Sequence, residues 1–307
     1  MKALILGASG FLGSYAGYAL AKQGWQLTSV SRATTSPHSS HHTIDSLAEV
    51  PAILRSRPWD VVVNCVAMAS HEQCEARPEV AQEINADLPA RWAGITAEIG
   101  ASFVHVSTDA VFDGAQNQLY AENDDTAPHS VYGKTKRWGE GAVLHENPHS
   151  LVLRTNFFGW SQNSRKGILD FFATGFESQQ EMTGFTDYVV SSLYMADVWE
   201  LIAEALEKNA SGIYHLTSST PLSKYDFGRA VGKALGGDET LMSAGVLPES
   251  TSLGKRSHNL GLSVAKLETL VGHPIPGTLS GIARAVKERD AVMDYFGHRH
   301  RERKAPQ

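Results

Sequence analysis

Only two cysteines, Cys65 and Cys74, occur in 307 residues, too few and wrongly spaced for a disulfide framework or a zinc site. The expected compartment is therefore the reducing cytoplasm. No apolar run approaches the ~18 residues that would cross a bilayer, so no membrane span is expected. The opening lysine and apolar run superficially resemble a secretion signal, but Gly7, Gly10 and Gly13 interrupt them. Positive charge is also scarce: 27 Lys and Arg against 33 Asp and Glu leave a formal net charge of −6. Without a basic face, neither nucleic acid nor an anionic membrane is an expected partner. The basic run from His298 to Lys304 reads as a solvated tail. The polar stretch Thr34–His42 carries three histidines, yet no carboxylate or cysteine stands at ligand spacing beside them. It is read as a surface loop, and no metal is expected. There is no internal repeat and no clear linker.

What is present is an alternation of short apolar runs and helix-patterned stretches, in a chain with 42% hydrophobic and 20% charged residues, as in ordinary globular proteins. Residues 2–6 form an apolar run ending in glycine. Helical spacing follows from Phe11 to Lys22, and Gly24 precedes a second strand at Gln26–Ser31, which makes a β-α-β unit. Further strands are expected at Val61–Val66, Phe103–Ser107, Leu151–Arg154 and Gly212–Leu216. Helices are expected at 78–99, 131–146, Leu193–Glu207, 223–235, 263–270 and 277–296. Alternation of this kind predicts an α/β fold, a doubly wound parallel sheet with helices on both faces. The looser pattern beyond Arg154 predicts a smaller, irregular C-terminal substrate domain. Residues 1–155 would form the dinucleotide-binding domain, with 193–216 returning to it, and 156–192 and 217–307 the substrate-binding region.

The spacing Gly7, Gly10, Gly13 falls directly after a strand and opens a helix. Glycine there permits a tight turn and lets backbone N–H groups approach a pyrophosphate. The turn residues Gly7, Ser9, Gly10, Phe11, Leu12 and Gly13 are accordingly candidates for the cofactor. An acidic residue ending the second strand would favour NAD by binding the ribose hydroxyls. That strand instead ends Ser31-Arg32, which favours NADP and leaves NAD as the alternative. Asp45, after a short strand, is expected near the adenine. Val66, Ala67 and Met68 lie where an apolar strand gives way to small residues, at the end that faces a cofactor. Cys65 reads as buried core. Downstream, Ser107-Thr108-Asp109 is a hydroxyl pair at a strand exit, and Tyr132 and Lys136 form Y-x-x-x-K on an expected helix. Positions i and i+4 share a face, so phenol and ammonium can enter one site, where the cation would lower the phenol pKa toward neutrality.

Taken together, GASGFLG at 7–13, STDAVFDG at 107–114, YGKTKRWGE at 132–140 and the intervening HEQCEARPEVAQEINADLPARWAG resemble the extended short-chain dehydrogenase/reductase superfamily, in particular its dTDP-4-dehydrorhamnose reductase branch. The resemblance implies a Rossmann-type fold and a soluble NADP-dependent oxidoreductase. In it Tyr132 would donate a proton, Lys136 would bind the nicotinamide ribose, and Thr108 would hydrogen-bond the substrate carbonyl. It also implies a substrate-facing set of Thr108, Asp109, Phe112, Asn156, Phe157 and Arg256. LRTNFFG at 153–159 and KRSHNLGL at 255–262 match the branch's later segments. Three departures bear on the sugar more than on the chemistry. Ser257 stands where the branch has proline, Phe replaces a tryptophan common after Arg-Thr, and GFTDYVVSS at 184–192 lacks a glycine-proline-threonine run.

The expected function is NADPH-dependent reduction of a 4-keto-6-deoxy nucleotide sugar. Two other functions are weighed against it. One is a nucleotide-sugar epimerase or dehydratase, although a dehydratase of this superfamily usually carries Glu after the Thr-Asp pair, where Ala110 stands. The other is a non-catalytic dinucleotide-binding subunit, resembling the regulatory partner of methionine adenosyltransferase. The helices at 78–99 and 131–146 could pair two copies into a homodimer, as in many relatives.

Overall fold

The computed structural model describes residues 1–20, 23–32, 40–162, 167–248 and 258–302, with side chains to Gly297. Seven parallel strands form one sheet: β1 (Lys2–Leu6), β2 (Gln26–Ser31), β3 (Ser40–Thr43), β4 (Val61–Asn64), β5 (Ser102–Thr108), β6 (Leu151–Thr155) and β7 (Gly212–His215). Their spatial order is β7-β6-β5-β4-β1-β2-β3. The order reverses between β1 and β4, and in open α/β sheets ligands bind in the crevice beyond the strand ends at such a reversal. Alternate side chains of β1 serve two cores. Ala3 and Ile5 join the cluster containing Tyr15, Trp199 and Ile202, while Leu4 and Leu6 join Trp92, Leu88 and Phe103 on the opposite face. Both faces are covered, as parallel sheets require.

The remaining chain adds short pairings. Leu193–Tyr194 runs parallel to Phe157–Phe158, and Val189–Val190 lies between Leu222–Ser223 and Asn259–Leu260. Arg284 docks the helix Thr278–Lys287 onto Met195–Glu207 through Asp197 and Glu200, and braces its own C-terminus through Glu288. Among the described residues no helix is long and apolar enough to cross a membrane.

Several elements differ from the sequence expectation, for local reasons. The helix expected from Phe11 begins only at Gly13, as one 3-10 turn followed by Ala16–Leu20, because the residues before it are spent in the glycine turn. The helix expected over 78–99 is interrupted. Pro78–Gln82 passes through a π-turn at Glu83–Asp87 into Leu88–Glu98. Pro89 has no N–H to offer the Asn85 carbonyl in a regular α-turn, so the backbone widens there. The expected strand Val61–Val66 ends at Asn64, whose side chain turns back to accept from the Val66 N–H at 2.9 Å. Of the stretch expected as a polar loop, Ser40–His42 instead belongs to edge strand β3, and residues 33–39 lie outside the described residues. The helix expected over 277–296 is two, Thr278–Lys287 and Arg289–Glu302. The side chains of the basic tail lie outside the described residues.

One buried ion pair ties the sheet to the helix Val131–Glu146. Arg154 of β6 is 2% exposed and Glu140 is fully buried. The guanidinium donates from Nε and Nη2 to the carboxylate at 3.0 and 2.9 Å and from Nη1 to the Glu122 carbonyl at 3.2 Å. Ser107 of β5 donates to the same carboxylate at 2.6 Å.

Candidate active site and dinucleotide cleft

The start of the turn after β1 is closed by backbone hydrogen bonds. Gly7 has φ +80°. Its N–H donates to the Val30 carbonyl at 2.9 Å, and the Gly10 N–H returns to the Gly7 carbonyl at 2.9 Å. A Cβ on Gly13 would stand 2.5 Å from that carbonyl, and one on Gly7 would stand 3.0 Å from the backbone after β4. Only glycine allows β1, the turn and β4 to close this tightly.

The turn opens onto a cleft of about 280 Å³ whose walls include Gly7, Ser9, Gly10, Ser31, Arg32, Val66 and Ala67. A cradle of two glycines and Ser9, next to an exposed arginine, fits a pyrophosphate and a 2′-phosphate. Ile44, Leu47 and Val50 add an apolar wall suited to an adenine ring. The sequence reading missed these three, which reach the cleft only because β3 pairs on β2.

Other predicted cofactor residues are not among the walls of this cleft. Leu12 and Gly13 are buried, and the Leu12 carbonyl accepts from Trp199 Nε1 at 2.9 Å. Phe11 packs on Phe157, with ring centres 6.1 Å apart. Asp45, expected near the adenine, instead precedes a Ser46/Glu49 capping box, and its N–H donates to Glu49. Met68 is fastened by Asn85, which accepts from its N–H at 2.8 Å and donates to its carbonyl at 3.1 Å.

A second pocket, of about 240 Å³, brings together Thr108, Asp109, Tyr132, Asn156 and Phe157. Thr108 ends β5, accepts from the Ala110 N–H at 3.2 Å and donates to Asp109 at 3.0 Å. Asn156 donates to the other Asp109 oxygen at 2.7 Å and accepts from Ser192 at 2.8 Å. Burial raises the Asp109 carboxyl, opposed by the hydrogen bonds from Asn156 and Thr108. The helix carrying Tyr132 begins at Ser130, whose hydroxyl accepts from the Gly133 N–H at 3.1 Å. A Cβ on Gly133 would collide with the Ala110 carbonyl, so glycine lets Tyr132 approach Thr108.

The pKa expected for Tyr132 requires correction. Burial pushes the phenol up to about 12; a hydrogen bond with Thr108 lowers it, and the charges of Asp109 and Cys74 raise it. The expected cation does not face it. Lys136 is buried at 1% exposure, and its Nζ donates to the Val106 carbonyl at 2.6 Å and lies 3.3 Å from His105 Nε2. Burial pushes this lysine down to about 8, against the raising influence of Glu140 and Cys65.

Phe112, predicted to face substrate, is fully buried, stacked on Tyr120 at 4.3 Å and under the Arg154 guanidinium at 5.0 Å. Arg256 lies outside the described residues. Sequence reading missed His71, His129, Tyr188 and Leu260, which also line the pocket. His71 follows the end of β4 and could have been found there. Tyr188 and Leu260 arrive through the pairing of Val189–Val190 with Asn259–Leu260, which no local pattern announces. Among the described residues no three His, Cys, Asp or Glu side chains gather as metal ligands do.

Comparison with known proteins bears on this arrangement. The sequence matches the family described as RmlD substrate binding domain over residues 1–290. The probable low-salt glycan biosynthesis reductase of Haloferax volcanii is 30% identical over 284 residues, covering 89% of this chain and 93% of that protein. The dTDP-4-dehydrorhamnose reductase of Mycobacterium tuberculosis is 31% identical over 242 residues, 76% of each chain. The crystal structure of a dTDP-4-dehydrorhamnose reductase from Bacillus anthracis, in complex with NADP, shares the fold at a TM-score of 0.83 and 20% identity, covering 94% of this chain and 99% of that one. A match that runs from the glycine turn through the helix Thr278–Lys287 makes this chain a member of the RmlD substrate binding domain family.

Proposed function

We propose that the chain is an NADPH-dependent reductase of a 4-keto-6-deoxy nucleotide sugar. The observation that carries this reading is the placing of Tyr132 in one pocket with Thr108, to which its phenol is hydrogen-bonded. NADPH, when bound, supplies the hydride. The backbone of Gly7 to Gly10 would hold the pyrophosphate and Arg32 would meet the 2′-phosphate, while Lys136, whose Nζ donates to the Val106 carbonyl, would reach the nicotinamide ribose on turning from it. Thr108 orients the carbonyl, and Tyr132 gives its proton to the developing alkoxide. A phenol raised to about 12 stays protonated at neutral pH, which suits a proton donor in the reducing direction. The name of the Mycobacterium tuberculosis relative, dTDP-4-dehydrorhamnose reductase, supports a nucleotide sugar as substrate. The division of labour follows the chain: residues 1–155 with 193–216 bind the cofactor, and 156–192 with 217–307 receive the sugar. Trp138, 57% exposed, lies near Pro78 on the face formed by the 78–98 and 131–146 helices, which supports a homodimer joined there.

Turnover of NADPH against a panel of 4-keto nucleotide sugars tests the reading, and no turnover with any of them would count against it. Arg32 is exposed beside Ser31 at the cleft, so its charge-assisted bonds to a 2′-phosphate should set the cofactor preference. Arg32→Ala is expected to erode the NADPH-over-NADH ratio in kcat/KM by about ten- to a hundredfold. Equal use of both cofactors by the unaltered protein would remove the basis for the NADP assignment.

A further inference from the structure

Beneath the pocket a buried chain of polar atoms leads from the sheet to Lys136. Asn64 and His105 are both fully buried on adjacent strands β4 and β5. Asn64 Oδ1 accepts from the Val66 N–H at 2.9 Å, which fixes the direction of the amide. Its Nδ2, a donor only, therefore faces His105 Nδ1 at 3.1 Å. Burial and the neighbouring Lys136 push the imidazole well below its ordinary range, so it carries one ring proton. With Nδ1 accepting, that proton sits on Nε2, 3.3 Å from Lys136 Nζ. An ammonium there meets donor with donor. A neutral amine accepts from Nε2–H and still donates to the Val106 carbonyl at 2.6 Å.

We propose that His105, held by Asn64 in the tautomer protonated on Nε2, is a positioning residue that sets the charge state of Lys136. The inference rests on Lys136 belonging to the cofactor site proposed above. The groups facing the lysine are few. Burial disfavours the ammonium most; Glu140, one turn along its own helix, and Cys65, after β4, favour it, and the Nε2–H of His105 on β5, 3.3 Å away, adds to the opposition. Glu140 is committed to Arg154 and Ser107. The tautomer thus acts where no free carboxylate competes. Asn64→Asp would place an acceptor against Nδ1, move the ring proton there and leave Nε2 free to accept from the ammonium. His105→Gln would offer Lys136 an amide oxygen. Both changes favour the charged lysine.

Two measurements test this. Long-range 15N–1H correlation on the unaltered protein is expected to show His105 neutral and protonated on Nε2. A proton on Nδ1, or a charged ring at pH 7, overturns the proposal without any variant having to fold. NADPH affinity followed by nicotinamide fluorescence from pH 6 to 10 is expected to change around pH 8 in the unaltered protein. In Asn64→Asp and His105→Gln the midpoint should move up by about one pH unit or more. A purely structural role would lower the unfolding temperature of both variants and leave the midpoint in place, which also overturns the proposal. If the unaltered protein fails to bind NADPH while His105 shows the Nε2 tautomer, the cofactor reading has failed and the arrangement of Asn64 and His105 stands.

Discussion

Tyr132→Phe is expected to lower turnover at least about a hundredfold while leaving NADPH affinity within a few-fold. The substitution removes one oxygen and keeps the ring, which packs 5.0 Å from His71 and against Met68. Helix and glycine turn should be unaffected, so binding and catalysis separate cleanly. Burial holds the phenol up at about 12. The Tyr132-dependent part of the rate should accordingly be flat through neutral pH and fall only as the phenol ionises. Single-turnover NADPH oxidation with a keto-sugar, beside a fluorescence titration of NADPH, reads both quantities. A variant that reduces the sugar at the full rate would refute the assignment. One that loses both properties together would point to a binding role for the hydroxyl.

Glu140→Ala is expected to cost about 3–5 kcal/mol of stability, because it strips the partner from a guanidinium with no access to water. Arg154 is 2% exposed and donates three of its hydrogen bonds to this carboxylate; Ser107 loses its acceptor as well. The midpoint of urea unfolding is the measurement, and a loss below about 1 kcal/mol would contradict the account. The double variant Glu140→Leu, Arg154→Met should recover most of the loss, since a buried pair replaced by apolar groups of similar size is often neutral. Recovery of that kind would show that the pair is costly to break rather than strongly stabilising in itself.

The parts of this architecture that were legible in the sequence are those with a local cause. The helix Val131–Glu146 matches the expected span because its pattern is local, and its start is fixed by the Ser130 cap, a signal that the sequence also carried. The parallel sheet followed from short apolar runs separated by helices. The glycine turn, Thr108 and Tyr132 were legible because each falls at a strand exit or helix start, where geometry restricts the residue type. Elements that were not legible depend on distant partners. The π-turn at Glu83–Asp87 was signalled only by Pro89. The apolar wall Ile44, Leu47 and Val50 depended on the pairing of an edge strand whose residues Ser40–His42 were read as loop, although a short strand was expected before Asp45. The phenol and the lysine share a helix, as i, i+4 spacing required, but the spacing gave no sign that Lys136 Nζ turns to the Val106 carbonyl. Phe112 shows the opposite failure, because a residue beside the pocket in sequence proved to be its foundation in space.

The order of strands along the chain has a consequence for synthesis. β6 is buried along its whole length and apolar but for Arg154 and Thr155, and its outer edge is closed by β7 alone. Residues 156–211 separate the two strands. At the usual rate of about 5–20 residues per second, the ribosome needs roughly 3–11 s to supply the missing strand. During that interval a nascent six-stranded sheet presents the unpaired N–H and C=O groups of Leu151–Thr155 to any neighbouring chain, with no proline or lysine on that strand to blunt them. The period of greatest aggregation risk for this protein therefore falls between the completion of β6 and the emergence of β7, when a chaperone has most to cover.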